Sequence, residues 1–159
     1  MAEARVKLVW SGAALGPTES VDSYSREFRA EFDGKPPLYG SADPAYHGDA
    51  ALYNPEDLLV SAVAACHMLS YLAVCAYAGI SVVSYEDAAT GTLARRDGSV
   101  KFVDLLLRPK VVLAPGSDVA KARALHDKAH SICIIANSVN FPVRHEADVE
   151  LPGEEGVAA

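Results

Sequence analysis

Hydrophobic and polar residues follow three kinds of pattern along this chain. They alternate over residues 5–10 and 23–32, each followed by turn-forming residues, and this period of two predicts a pair of N-terminal strands. Residues 41–53 show little periodicity and many turn formers, which indicates a loop. Residues 58–80 are apolar almost throughout, and this predicts a long helix that is buried on all sides.

The long helix carries sequence signals at both ends. Asn54 is suited to cap its start, Pro55 fits the first helical position, and Glu56 and Asp57 place negative charge at the positive end of the helix dipole. Gly79 favours the left-handed conformation that ends many helices. The helix is therefore expected to run from about residue 55 to the glycine.

A membrane-spanning helix is the alternative for this apolar stretch, since it is long enough to cross a bilayer. However, it is rich in alanine, contains Ser61, His67 and Ser70, and lacks flanking basic residues to set an orientation. These features favour a buried helix and predict no membrane association.

The second half of the chain predicts strands, a helix and a final strand. Residues 81–93 and 101–113 have strand patterns and are joined through Asp97-Gly98, a strong hairpin signal. Ser117 is expected to cap a helix that runs to about His130. The residues expected on the buried face of this helix are Val119, Ala122, Leu125 and Ala129. Residues 131–139 are expected to continue as a short buried helical turn. Residues 142–151 alternate as a last strand. The prediction is a single α+β domain over residues 1–159, with a frayed tail from about residue 152.

Charge and composition exclude several classes of function. The 159 residues include 14 basic and 21 acidic side chains, a net charge of −7, and no basic cluster. Nucleic acid and anionic lipid both require clustered positive charge, so neither is an expected partner. The N-terminal residues lack the pattern of a secretory signal, and an odd count of 3 cysteines argues against a secreted disulfide scaffold. A cytoplasmic location is expected. The chain shows no glycine-rich phosphate loop.

The cysteines carry the most informative chemistry. Cys66 and Cys75 lie nine residues apart on the predicted helix, which places them on opposite faces and about 13.5 Å apart along the axis. A disulfide requires Cα atoms within about 7 Å, so these two cannot pair while the helix is intact. Any redox-active pair must therefore include Cys133. For each cysteine the simplest alternative is packing as a small buried hydrophobe.

Three sequence features together resemble a known family. Residues 54–59 (Asn-Pro-Glu-Asp-Leu-Leu), 64–66 (Ala-Ala-Cys) and the later Cys133 are similar to the osmotically inducible protein C and organic hydroperoxide resistance (OsmC/Ohr) family. The likeness spans most of the chain. It implies an α+β fold in which two chains intertwine as a homodimer, with long central helices inside and antiparallel β-sheets outside. It also implies thiol peroxidase activity on organic hydroperoxides, with no metal and no bound organic cofactor.

The resemblance also assigns roles to residues. Cys66 matches the peroxidatic cysteine, Cys133 the resolving cysteine, and Glu56 the glutamate that the family pairs with an arginine. Arg26 fits that arginine best, with Arg29 as the fallback. A free thiol with a pKa near 8.5 is mostly protonated at neutral pH, so a guanidinium beside Cys66 would favour the reactive thiolate. The resulting Cys66–Cys133 disulfide would need an external dithiol for turnover. The resemblance suggests a lipoyl or similar dithiol as this reductant rather than glutathione.

Helix geometry adds a constraint on the glutamate. Ten helical residues separate Glu56 from Cys66 by about 15 Å along the axis. If both serve one site, either the helix bends or a second chain contributes. This predicts a dimer with a shared site.

Two further interpretations stand beside the peroxidase. His126, His130 and Cys133 follow one another as H-x3-H-x2-C, and Cys66 or His67 would complete a tetrahedral zinc set. Alternatively, the protein is a non-catalytic, stress-related dimer that binds a small molecule while its cysteines only pack. Two departures from the family pattern bear on the peroxidase: His67 follows the first cysteine where an aromatic residue is common, and Ile134 follows the second where proline is common.

Overall fold

The computed structural model describes residues 3–153. The chain divides into two compact units, one ending at Leu59 and the other beginning at Val60, so the boundary falls within the first turns of the long helix. Most of the tail predicted to fray, residues 154–159, lies outside the described residues. The single domain predicted for residues 1–159 stays a prediction.

The first unit contains a three-stranded antiparallel sheet in the order β1-β2-β3. Its strands are β1 (Lys7–Val9), β2 (Phe28–Glu31) and β3 (Leu38–Gly40). The first two confirm the predicted pair, although β2 is shorter than residues 23–32. The third was not predicted, because three residues are too few to establish a period of two.

Helix α1 (Pro55–Tyr77) confirms both of its predicted ends. The Asn54 side-chain oxygen accepts a hydrogen bond from the Asp57 backbone N–H at 2.8 Å, and the Asp57 carboxylate accepts one from the Asn54 N–H at 3.1 Å. This reciprocal capping satisfies two N–H groups that have no partner within the helix. Gly79 has φ +73°, a left-handed conformation that glycine adopts without the strain a Cβ would bring.

The second unit contains two more three-stranded sheets and helix α2 (Val119–Ile132). The sheet orders are β4-β7-β9 and β5-β6-β8. The strands are β4 (Val82–Asp87), β5 (Thr90–Arg96), β6 (Ser99–Leu107), β7 (Pro109–Leu113), β8 (Val143–His145) and β9 (Asp148–Glu150). The α+β class is confirmed.

The two long strands predicted on either side of the hairpin are each divided in the structure. The hairpin itself forms as predicted between β5 and β6, with Asp97 and Gly98 both at positive φ. The outer pair, β4 and β7, belongs to a different sheet. At the break the Asp87 carboxylate accepts a hydrogen bond from the Arg108 backbone N–H at 2.7 Å, and Pro109 follows with no N–H to donate. Periodicity continues across these breaks, so the pattern alone did not show them.

Two more predictions in this unit need correction. The cap of α2 is Asp118, which accepts from the Lys121 N–H at 2.9 Å, and not Ser117. The final segment forms two short strands and not the single strand predicted: β8 pairs in parallel with β6, and β9 pairs in parallel with β7. Parallel pairing requires a crossover connection, and α2 lies in the chain between the partners.

The core of the second unit forms around α1. Near its start, Val63 packs with Leu105 and Leu107 of β6. Further along, Tyr71 and Cys75 belong to a second cluster formed with β7, β9 and α2. Between Val63 and Cys75 one face of the helix packs on both sheets of this unit, so within the chain the helix is buried on one face and not on all sides as predicted. Cys66 lies between the two clusters along this stretch.

Candidate active site

Two of the three cysteines lie side by side in the second unit. Cys66 is halfway along α1 and half-buried, whereas Cys133 is the C-terminal cap residue of α2 and is fully buried. Both are free thiols, and each is close enough to the other to shift its pKa. The structure therefore brings together the two cysteines to which the peroxidatic and resolving roles were assigned.

The surroundings of Cys66 favour its thiolate. Burial is the largest single influence and acts to raise the pKa of Cys66, because it disfavours the charged form. The backbone N–H of Ile135, the Cys133 thiol, the backbone N–H of Ile134 and the Ser70 hydroxyl act in the opposite direction. Together these hydrogen-bond donors outweigh burial, and the pKa of Cys66 is lowered from its ordinary value. A lowered pKa is the property that makes a thiol reactive at neutral pH.

Cys133 has the opposite character. Burial and its hydrogen bond to Cys66 raise the pKa of Cys133 to about 11. Its sulfur accepts a hydrogen bond from the Ala136 backbone N–H at 3.5 Å, at the start of the 3₁₀ turn Ala136–Ser138. Cys133 is therefore protonated at neutral pH, and this neighbouring thiol favours the ionised form of Cys66.

Several of the groups that lower the pKa of Cys66 were not predicted from the sequence. Ser70 lies one helical turn after Cys66, a spacing that would have identified it. The N–H groups of Ile134 and Ile135 belong to the backbone, so their side chains give no signal. Residues 131–139 were expected to form a buried turn, but the Ile134 side chain is 75% exposed. Because Ile134 is not proline, it keeps an N–H to donate to Cys66.

Cys75 lies apart from this pair. It is fully buried, and its hydrogen-bonding partner is the Tyr71 hydroxyl. Burial raises the pKa of the Cys75 thiol, which leaves it protonated and unreactive at neutral pH. The expectation that Cys66 and Cys75 cannot pair agrees with their different surroundings.

A cluster of imidazoles occupies the contact between α1 and α2. His67 and His126 are fully buried, and His67 Nε2 lies 3.0 Å from His126 Nδ1. The Tyr71 ring stacks on His126 at a centroid distance of 3.8 Å, and the His145 ring lies 5.6 Å from both histidine rings. His67 is thus a hydrogen-bonded core histidine. His145 also belongs to this cluster, and its Nε2 lies 3.2 Å from a carboxylate oxygen of Asp127.

Both buried histidines are held in the neutral form. Burial and the neighbouring imidazoles, chiefly His145, lower the pKa of His67 to about 4. Burial and the facing His67 lower the pKa of His126 to about 3. Among residues 3–153, no three His, Cys, Asp or Glu side chains are arranged to hold a metal ion. The predicted zinc set is therefore not assembled: His67 and His126 meet as a hydrogen-bonded pair instead.

The remaining predicted site residues belong to the first unit. The Arg26 guanidinium lies 3.8 Å over the Tyr24 ring and donates to the backbone carbonyls of Tyr24 and Val21. Arg29 is paired with Glu31 on β2. Glu56 is half-buried in the first turn of α1. The pairing of Glu56 with either arginine, and their action on Cys66, stay predictions.

Comparisons with known proteins agree with this fold. An OsmC-like protein of unknown function from Vibrio cholerae O1 biovar eltor has a TM-score of 0.86 and 32% identity, covering 93% of this chain and 100% of that chain. The organic hydroperoxide resistance protein OhrB of Bacillus subtilis has a TM-score of 0.63 and 20% identity, and the match covers 93% of this chain and 98% of OhrB. At this identity the similarity to OhrB is one of fold.

Sequence comparison identifies the family. The uncharacterized protein YmaD of Bacillus subtilis (strain 168) is 31% identical over 106 residues, which cover 64% of this chain and 71% of YmaD. The family model described as OsmC-like protein matches residues 47–148, which include Glu56, Cys66 and Cys133. With a match over more than half of its length, the chain belongs to the OsmC-like protein family.

Proposed function

We propose that this protein is a thiol-dependent peroxidase that reduces organic hydroperoxides through Cys66 and Cys133. The observation that carries the proposal is the pairing of a thiol of lowered pKa, Cys66, with a buried thiol of raised pKa, Cys133, each of which acts on the ionisation of the other. A peroxide is attacked by a thiolate, and a second thiol must be close to resolve the product. This arrangement supplies both.

The reaction proceeds in three steps. The Cys66 thiolate attacks the terminal peroxide oxygen, the O–O bond breaks, and the alkoxide takes a proton to leave as an alcohol, with Cys66 oxidised to a sulfenic acid. The Cys133 sulfur then attacks the Cys66 sulfur and expels water, which forms a disulfide. An external dithiol reduces this disulfide by thiol exchange and is itself oxidised.

The raised pKa of Cys133 orders these steps. While Cys66 is a thiolate, the hydrogen bond between the two sulfurs favours the protonated form of Cys133. Burial, the larger cause, is unchanged when Cys66 becomes a neutral sulfenic acid, but the influence of Cys66 is removed. Cys133 is therefore easier to ionise after the first step than before it.

The fold relatives support the class of reaction. OhrB of Bacillus subtilis, which shares this fold, is named an organic hydroperoxide resistance protein. The proposal extends that class to this chain on the strength of its own cysteine pair. In the same proposal Arg26, positioned by Glu56, favours the Cys66 thiolate and donates to the leaving oxygen. Ten helical residues correspond to about 15 Å along the axis between Glu56 and Cys66, so a second chain would supply the Arg26–Glu56 pair.

A homodimer is the second part of the proposal. In residues 3–153 one helix, α1, is long and apolar enough to cross a membrane by length and composition, yet only 22% of its most apolar 18-residue window is buried within the chain. Leu69 is 62% exposed and Tyr77 is 94% exposed on this helix. An apolar face of this length is unfavourable in water, and a second copy of α1 would cover it.

The dimer predicts a mass of twice 16.8 kDa in solution for the chain without detergent. Ala73, exposed in the middle of α1, would lie in the interface, so Ala73→Glu is expected to give monomers because it buries an unpaired charge. Ala124→Glu, at an exposed position of α2, is the matched control and should leave the dimer intact. Light scattering after size exclusion measures both. A wild-type protein that is monomeric, or soluble only in detergent, would contradict the dimer.

Thiol counting tests the peroxidase. Reduced protein treated with one equivalent of cumene hydroperoxide is expected to lose two of its 3 thiols, with peptide mapping locating a Cys66–Cys133 disulfide. Hydrogen peroxide, run in parallel, is expected to react more slowly, since the substrate is an organic hydroperoxide. Three intact thiols after prolonged exposure would contradict the proposal and favour the non-catalytic dimer.

A further inference from the structure

We propose that Asn137 is a positioning residue for the reactive thiol: its side-chain amide holds the turn after α2 so that the backbone N–H groups of Ile134 and Ile135 stay directed at the Cys66 sulfur. This inference rests on the proposed function, because it gives Asn137 a part in activating Cys66. The test below reads the state of the thiol directly and does not depend on peroxidase activity.

Asn137 is hydrogen-bonded to the end of α2 at three points. Its Nδ2 group donates to the backbone carbonyl of Cys133 at 2.8 Å, and to those of His130 and Ser131 at 3.3 Å each. These are carbonyls at the C-terminus of a helix, where the last turn has no intrahelical donors. One amide thus links the last turn of α2 to the 3₁₀ turn that contains Asn137 itself.

The segment between these two ends is the one that faces Cys66. Ile134 and Ile135 lie between Cys133 and the 3₁₀ turn, and their backbone N–H groups are among the groups that lower the pKa of Cys66. The turn is closed further by the Asn137 N–H to the Cys133 carbonyl at 3.1 Å and by the Ser138 hydroxyl to the Ile134 carbonyl at 2.8 Å. Asn137 is therefore the side chain that joins this closed turn to the helix before it.

Small movements of this turn have a large effect on the thiol. Hydrogen bonds weaken steeply as the donor moves away or tilts, and a thiolate that is half-buried depends on such donors to offset the cost of burial. Asn137 itself is exposed and packs little, so its loss removes few contacts from the core. Its contribution is expected to appear in the ionisation of Cys66 more than in the stability of the protein.

The test compares variants by the pH dependence of Cys66 alkylation, measured on the Cys66 peptide by mass spectrometry. Asn137→Asp keeps the size of the side chain and removes its donors, and Asn137→Ala removes the amide altogether. Both are expected to slow alkylation at pH 7 roughly fivefold, through a raised Cys66 pKa, and to react like wild type above about pH 10, where Cys66 is ionised in all proteins. Asn140→Ala, an exposed asparagine of the same segment, is the control and should match wild type.

Ile134→Pro provides an independent reference, because it removes one of the N–H donors directly and should shift the profile in the same direction. Folding of each variant is checked by its unfolding temperature. Asn137 variants that fold and keep the wild-type pH profile would overturn the inference, as would an equal shift in Asn140→Ala. A wild-type protein that fails to consume peroxide would leave this readout intact, so the two proposals are separable.

Discussion

Replacing Cys66 with serine is expected to abolish consumption of organic hydroperoxide, whereas replacing Cys133 with serine should leave one oxidation per chain. The reason is the division of roles between the two sulfurs. A serine hydroxyl at 66 is not ionised near neutral pH and does not attack the peroxide. With serine at 133, Cys66 still becomes a sulfenic acid, but no thiol stands beside it to form the disulfide. Turnover with excess dithiothreitol and trapping of the sulfenic acid with dimedone measure the two outcomes.

The hydrogen bond between the cysteines sharpens this prediction. A serine hydroxyl at 133 can donate to the Cys66 thiolate as the Cys133 thiol does, so the activation of Cys66 should survive the substitution. The first oxidation of Cys133→Ser is therefore expected within a few-fold of the wild-type rate. A Cys133→Ala variant lacks that donor, and its first oxidation should be slower at pH 7.

Cys75→Ser is the matched control for both variants, since it makes the same sulfur-to-oxygen change in the same chain. Cys75 contacts Tyr71 and not the reactive pair, so its replacement should leave the number of oxidations and the turnover unchanged. Undiminished turnover in Cys66→Ser, or loss of turnover in Cys75→Ser equal to that in Cys66→Ser, would contradict the assignment of Cys66.

Local sequence signals predicted the elements whose ends are fixed by local chemistry. The capping residues Asn54 and Asp57 and the turn at Asp97-Gly98 satisfy their own backbone, and the structure confirms α1 and the hairpin. The division of the hairpin strands between two sheets was not predictable, because alternation continues across Ala88 and Arg108. Which sheet a strand joins depends on tertiary pairing and not on its own pattern.

The candidate site was predictable only in part for the same reason. Helical geometry excluded a Cys66–Cys75 pair, and the resemblance to OsmC-like proteins pointed to Cys133. The N–H groups of Ile134 and Ile135 belong to the backbone, and the turn after α2 sets their direction. No residue type in the sequence therefore indicates their role. His67 and His126 are distant in the sequence and meet only because α1 and α2 pack together. That contact provides the second large prediction.

The stability of this protein is expected to fall steeply as the pH drops below about 6.5. His67 and His126 have pKa values of about 4 and about 3 in the folded chain, against 6.5 when exposed. Between these values the unfolded chain binds protons that the folded chain does not, so acid favours unfolding. With both residues titrating, the loss approaches about 3 kcal/mol per pH unit. Denaturant unfolding at pH 5 to 7.5 measures it.

Removing both imidazoles together should flatten this dependence. The double variant His67→Leu, His126→Leu replaces a hydrogen-bonded pair with apolar groups of similar size, and a change of both partners leaves no unpaired group from the pair. Between pH 7.5 and pH 5 this double variant should lose less stability than the wild type does. His47, an exposed histidine, provides the control: His47→Ala should retain the wild-type slope. An equal slope in the double variant and the wild type would show that other groups control acid unfolding, and that the buried pair accepts protons without unfolding.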